Sequence, residues 1–158
     1  MSSSILLPNG GYLVPTPLTP GGLSYEVGVW SPTIHGTSGS GQSYTRQAGR
    51  FIRTGAQVYV SADVVLSGLG TIAGAVSVGG LPFPVATSSN VDVGGASCFY
   101  FNGLAANEIA LWLFAASATS DLDVYGLRGV ARTNPVRYQV TDLTATTRFA
   151  IFGIYQAA

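Results

Sequence analysis

His35 is the only histidine in this 158-residue chain and the only side chain suited to general-base work near neutral pH. It follows an apolar run from Val29 to Ile34 and precedes the loop Gly36–Gly41. A Ser/His/Asp arrangement would need Ser38, Ser40 or Ser43 as nucleophile and an acid such as Asp63. The spacing around Ser38 and Ser40 is glycine-rich, but no helix pattern follows it, so no nucleophile elbow forms. The expected role of His35 is a surface loop residue. Asp121 and Asp123 form an Asp-x-Asp pair that could offer oxygens to a hard cation. Further acids at calcium-loop spacing are missing, and two side chains on one face at a strand start account for the pair. Gly68-Leu69-Gly70 before Gly74 would cradle a phosphate only at a helix N-terminus, and it joins strand patterns instead.

Counting removes other chemistries. All seven basic residues are arginine, so there is no P-loop lysine and no Schiff-base lysine. One histidine and one cysteine, Cys98, cannot build a Cys/His zinc site or an intrachain disulfide. The sequence therefore predicts a protein that is not an enzyme, with no catalytic residues, no cofactor and no metal. Seven acids balance the arginines, and charged residues make up 9% of the chain against about a quarter in ordinary domains. There is no basic footprint for nucleic acid. The longest apolar run, Ile109 to Ala116, falls well short of the ~20 residues of a membrane-spanning helix. With 47% hydrophobic residues, part of the surface is expected to be covered by a partner.

The elements that position these residues are strands. Gln57 to Leu66 alternates, with Val58, Val60, Ala62, Val64 and Leu66 on one face. Ile72–Val78, Ser97–Phe101, Ile109–Phe114, Leu122–Val130, Arg137–Val140 and Arg148–Tyr155 are further candidates. The runs 97–101 and 109–114 read as buried on both faces. Turn signals at Gly39-Ser40-Gly41, Ala48-Gly49, Gly79-Gly80, Gly94-Gly95, Asn102-Gly103 and Asn134-Pro135 separate them. Among the aromatics, Tyr25, Trp30, Tyr44, Tyr59, Tyr100, Trp112 and Tyr125 are expected mainly in the core, with sugar stacking as the other option. Arg46, Arg50 and Arg53 lie close together on an expected hairpin and form a possible interface, or else a charged edge that resists strand pairing.

The first 24 residues differ. Pro8, Pro15, Pro17 and Pro20 forbid helix and favour an extended path. Ile5, Leu6, Leu7, Tyr12, Leu13, Val14 and Leu18 are apolar and cannot be buried within an extended segment, so they are expected to anchor it on its own domain or on a neighbour. The fold expected is all-β: an antiparallel, jelly-roll-like β-sandwich over residues 25–158, preceded by an extended Pro/Gly-rich arm over residues 1–24.

Four segments carry a family resemblance: Val29-Trp30-Ser31-Pro32-Thr33, Tyr44–Phe51, Gly79-Gly80-Leu81-Pro82-Phe83-Pro84 and Arg148–Tyr155. In that order they resemble the β-sandwich domains of tailed-phage virion proteins, both capsid decoration proteins and tail-fibre heads. The resemblance implies a homotrimer without catalysis that contacts the major capsid protein, other virion subunits or a host glycan. Because only the short arm precedes the sandwich, where a fibre would carry a shaft, it points to a decoration (cement) protein. Such a protein sits on the outer capsid surface, is assembled in the host cytoplasm and is held by its arm. The alternative is a receptor-binding head at a fibre or tail tip that recognises a host surface glycan.

Overall fold

The computed structural model describes residues 24–87, 93–105, 107–129 and 134–158, together with the strand backbone at Ile5–Leu6 and Tyr12–Leu13. The strands in chain order are β1 (Ile5–Leu6), β2 (Tyr12–Leu13), β3 (Tyr25–Trp30), β4 (Thr33–His35), β5 (Ser43–Thr54), β6 (Gln57–Gly68), β7 (Ser77–Gly79), β8 (Gly94–Leu104), β9 (Glu108–Ala115), β10 (Asp121–Arg128), β11 (Val136–Arg137) and β12 (Leu143–Gln156). A single turn of 3₁₀ helix at Val140–Asp142 leads into β12. The fold is all-β as expected, and every strand pairing is antiparallel.

One sheet runs in the order β1-β2-β3-β5-β6-β12-β8-β9-β10-β7-β4, with β11 added to β10. Near the two ends of that path, β3 and β4 are joined only by Ser31-Pro32. The three peptide steps from Trp30 to Thr33 span at most about 11 Å, so the sheet has to curl until its ends meet. Tyr44 of β5 closes the gap: its hydroxyl donates to Ile34 O (2.8 Å) and accepts from Ile34 N (3.0 Å), as a neighbouring strand's backbone would. The result is a flattened, sandwich-like enclosure.

Alternation fills its inside. Val58, Val60, Ala62, Val64 and Leu66 of β6 are buried, as their spacing predicts, against Phe149, Ile151 and Tyr155 of β12 and Ile34, Val76, Val78, Leu122 and Val124 from the opposite half. The segment Leu81–Val85 lies over one end. Tyr155 pins it with a second two-way clamp, donating to Phe83 O (3.0 Å) and accepting from Phe83 N (3.2 Å). Phe83 also meets Phe51 edge-on at 5.3 Å.

Some expected turns are not turns. Ala48-Gly49 lies inside β5, where Gly49 is small because the Trp30 indole occupies its side-chain space: a Cβ would sit 2.4 Å from Nε1. Asn102-Gly103 and Gly94-Gly95 lie within β8, with Gly103 at φ +69° allowing an irregularity in the ladder rather than a chain reversal. Ile72–Val78 yields only the short β7 and isolated bridges at Ala73 and Ala75.

Burial pushes the Tyr155 phenol up to about 12 from its ordinary 10.0, against the opposing pull of its bond to Phe83 and the charge of Arg53. The unfolded chain therefore loses this proton first. The stabilisation is complete below pH ~10 and is lost as pH rises from there through 12. Replacing Tyr155 with Phe leaves both Phe83 backbone groups without their partner. This should cost about 1–3 kcal/mol in urea unfolding at neutral pH and flatten the alkaline decline.

Candidate assembly face

The same alternation that fills the core sends the other half of each strand outward, and many of those residues are apolar too. Cross-strand register aligns them in two rows over β3, β5, β6, β12, β8, β9 and β10. One row reads Val29, Arg50, Ser61, Phe152, Ser97, Trp112, Tyr125. The next reads Val27, Ile52, Tyr59, Ile154, Gly95, Phe114, Asp123. Phe152 stands at the middle strand and is 59% exposed; Val29 is 58% exposed. Phe99 is more exposed still, because the pairing skips it: Cys98 faces Ile151 and Tyr100 faces Ala150, so the bulge leaves the Phe99 ring outside the ladder.

Phe152 forms a ridge between two hollows. On one side a groove of about 490 Å³ runs between Val29, Ile52, Tyr59 and Phe152, with Ser61 in its floor. On the other, a groove of about 470 Å³ lies between Trp112, Phe114, Phe152 and Ile154, floored by Gly95, Ser97 and Gly153. Small residues make these floors deep. The expectation that Ile109–Phe114 and Ser97–Phe101 are covered on both faces is corrected: Ile109, Trp112, Phe114, Phe99 and Tyr100 are exposed. An apolar run signals two faces that prefer burial, and this fold covers only one of them. Tyr25 and Tyr59 are likewise exposed and Tyr125 half-exposed, while Trp30 and Tyr44 reach the interior.

Ion pairs border the apolar field. Asp63 on β6 is held by both neighbouring strands. Arg148 grips it with two bonds of 2.8 Å, and Arg46 adds a third at 2.9 Å. Arg148 also lies 4.9 Å over the Tyr100 ring. The three arginines of the expected interface lie on the β5 arm of the β5–β6 hairpin, as expected, and separate by strand parity. Arg46 and Arg50 point to the outer face. Arg53 points inward, 4.4 Å over the Phe83 ring and bonded to Gly55 O. Of the anchoring residues expected in the arm, Ile5–Leu6 and Tyr12–Leu13 form β1 and β2, and β2 pairs with Glu26 and Val27 on the edge of β3. Leu7, Val14 and Leu18 lie outside the described residues.

His35 is not a loop residue. It sits in β4 and reaches across β7 to Asp121 on β10, Nε2 to Oδ1 at 3.1 Å. Gly79 of β7 makes that reach possible, since a Cβ there would lie 2.7 Å from Nε2 and 2.6 Å from Oδ1. Asp123 is engaged by Arg137 at 2.6 Å and by the buried Ser77 hydroxyl at 2.9 Å. The Asp-x-Asp pair therefore serves a hydrogen-bonded seam across β4, β7, β10 and β11. The Ser38 and Ser40 backbones pair with Ala73 and Thr71, and the His35 ring nitrogens are taken by Gly36 O and Asp121 Oδ1. Among the described residues no group of three or more His, Cys, Asp or Glu side chains converges as a metal site would require. The register that aligns His35 with Asp121 could not be read from the sequence, because it depends on two strands 86 residues apart.

No family model and no curated protein sequence matches the chain. A solved structure does: the crystal structure of the Dettilon tailspike protein, with a TM-score of 0.69 and 18% identity over 85% of this chain. The match spans 24% of that protein, so the chain corresponds to about a quarter of the tailspike's length. At this identity the likeness shows the fold. It also corrects the expectation of a non-enzymatic chain, which rested on residue types the sequence lacks. Hydrolysis of a glycosidic bond needs only two suitably placed carboxylates, and that chemistry was never among those removed by counting.

Burial holds the Cys98 thiol at about 12, far above its ordinary value, and its Sγ lies 3.2 Å from Tyr100 O. The native chain should therefore resist iodoacetamide at pH 8, and denaturant should release one reactive thiol per chain. Rapid alkylation without denaturant would show that the β8–β12 pairing opens readily.

Proposed function

We propose that this chain is a structural domain of a bacteriophage virion, associated with the tail, that works only as part of an assembly of its own copies and other virion subunits. The likeness of its fold to part of a tailspike protein carries this reading. The outward apolar face supports it, because a domain that functioned alone would leave that surface in water. A homotrimer is the assembly order proposed, with residues 1–24 as the anchoring arm. The pairing of β2 with the β3 edge supports such a role, since an arm that adds strands to a sheet edge can do so within its own chain or on a neighbour.

Two finer placements compete. As a capsid decoration protein, the domain would clamp the shell through its arm. As a receptor-binding tail domain, it would meet a host glycan. The second is favoured by the fold's likeness to part of a tailspike protein.

Antibody against the purified chain, imaged on intact virions, separates these. Label at the tail is the expected result. Uniform label over the capsid would move the chain to decoration, and virions that carry none of it would overturn the virion reading.

A further inference from the structure

The outer face of β3, β5, β6, β12, β8 and β9 has the size, chemistry and relief of a subunit interface. Val29, Ile52, Phe99, Trp112, Phe114 and Phe152 range from 36% to 71% exposed. Taking about 150–250 Å² for a large side chain, the exposed parts of these residues and their neighbours Tyr59 and Ile154 sum to on the order of 700 Å². That exceeds the largest apolar patch of a typical monomer, about 300–600 Å². It also approaches the ~800 Å² that each partner buries in a standard stable interface.

The field is poor in charge. Arg50 stands within it and, among the described residues, has no ion pair with its own chain, while the Arg46–Asp63 pair lines a hollow on the same face with Val29 and Phe99. Aromatic and aliphatic anchors around one arginine, bordered by satisfied ion pairs, match the composition of interface cores rather than of open surface. The relief supplies both halves of a contact: a Phe152 ridge to insert, and two glycine- and serine-floored grooves to receive one.

We propose that this face is the contact surface between copies of this chain, with Phe152 as its central anchor and Arg50 meeting an acceptor on the neighbouring copy. The inference deepens the virion reading by naming the surface on which copies meet, and rests on it only for the expectation that they do. A ridge and grooves at different positions on one face suit a head-to-tail contact, which closes into a ring when the rotation allows.

Light scattering on the purified chain tests this directly. At tens of micromolar, the wild type should run at a multiple of 16.3 kDa. Phe152→Glu should run at the single-chain mass with its circular dichroism intact, since the side chain is exposed and outside the core. Ile52→Lys, on a different strand of the same face, gives a second reading should Phe152→Glu not fold. A wild-type chain that is monomeric overturns the proposal and leaves the face to a different virion protein. Folded variants that remain oligomeric overturn it too, by placing the contact elsewhere. Failure here leaves any tail label on virions standing, and absence of such label leaves a face-mediated oligomer standing, so the two readings fall separately.

Discussion

β12 lies at the middle of the sheet and is paired along most of its length, by β6 on one side and β8 on the other. Its alternation is apolar in both phases: Phe149, Ile151 and Tyr155 point in, while Phe152 and Ile154 point out. A strand of this kind cannot satisfy both faces inside one small domain. The curled sheet encloses the inner set between its two halves, and among the described residues no second layer covers the outer set. On the flanking strands Ser61, Gly95 and Ser97 stand opposite its outward residues, and further apolar side chains, Val29 and Ile52 on one side and Trp112 and Phe114 on the other, extend the face.

Closure is what makes the inner half work. The two-residue link between β3 and β4 forces the ends of the sheet together, and two tyrosines complete the seal in the same way. Tyr44 on Ile34 and Tyr155 on Phe83 each offer one hydroxyl to both polar groups of a single residue's backbone. These are positions where backbone groups would otherwise be buried without partners. The polar seam of His35, Asp121, Ser77, Asp123 and Arg137 crosses β4, β7, β10 and β11 on the outer side, and Gly79 opens the space for it.

Much of the inner architecture could be read in advance. The alternation of Gln57–Leu66 named the buried face of β6 residue by residue, and the all-β class followed from strand-length apolar runs between glycines. What could not be read has a common cause. Gly49 looked like a turn because its reason for being glycine, the Trp30 indole, comes from another strand. Trp112 and Phe114 looked like core because alternation states a preference for burial and not what supplies it. Arg46, Arg50 and Arg53 looked like one cluster because parity separates them only once their segment is known to be a single straight strand. Local pattern specified the strands, and the sites depend on register between strands far apart in sequence.

The central claim is that copies of the chain cover one another's outer face. Trp30 is buried inside the single chain, so a change in native tryptophan emission on dilution reports Trp112, the other of the two tryptophans and a resident of that face. Acrylamide quenching of the wild-type chain across a dilution series tests the claim most directly. The account predicts blue-shifted, protected emission at high concentration and the appearance of a quenchable, red-shifted component on dilution, with secondary structure unchanged. A Trp112 that is equally quenchable at every concentration would contradict it.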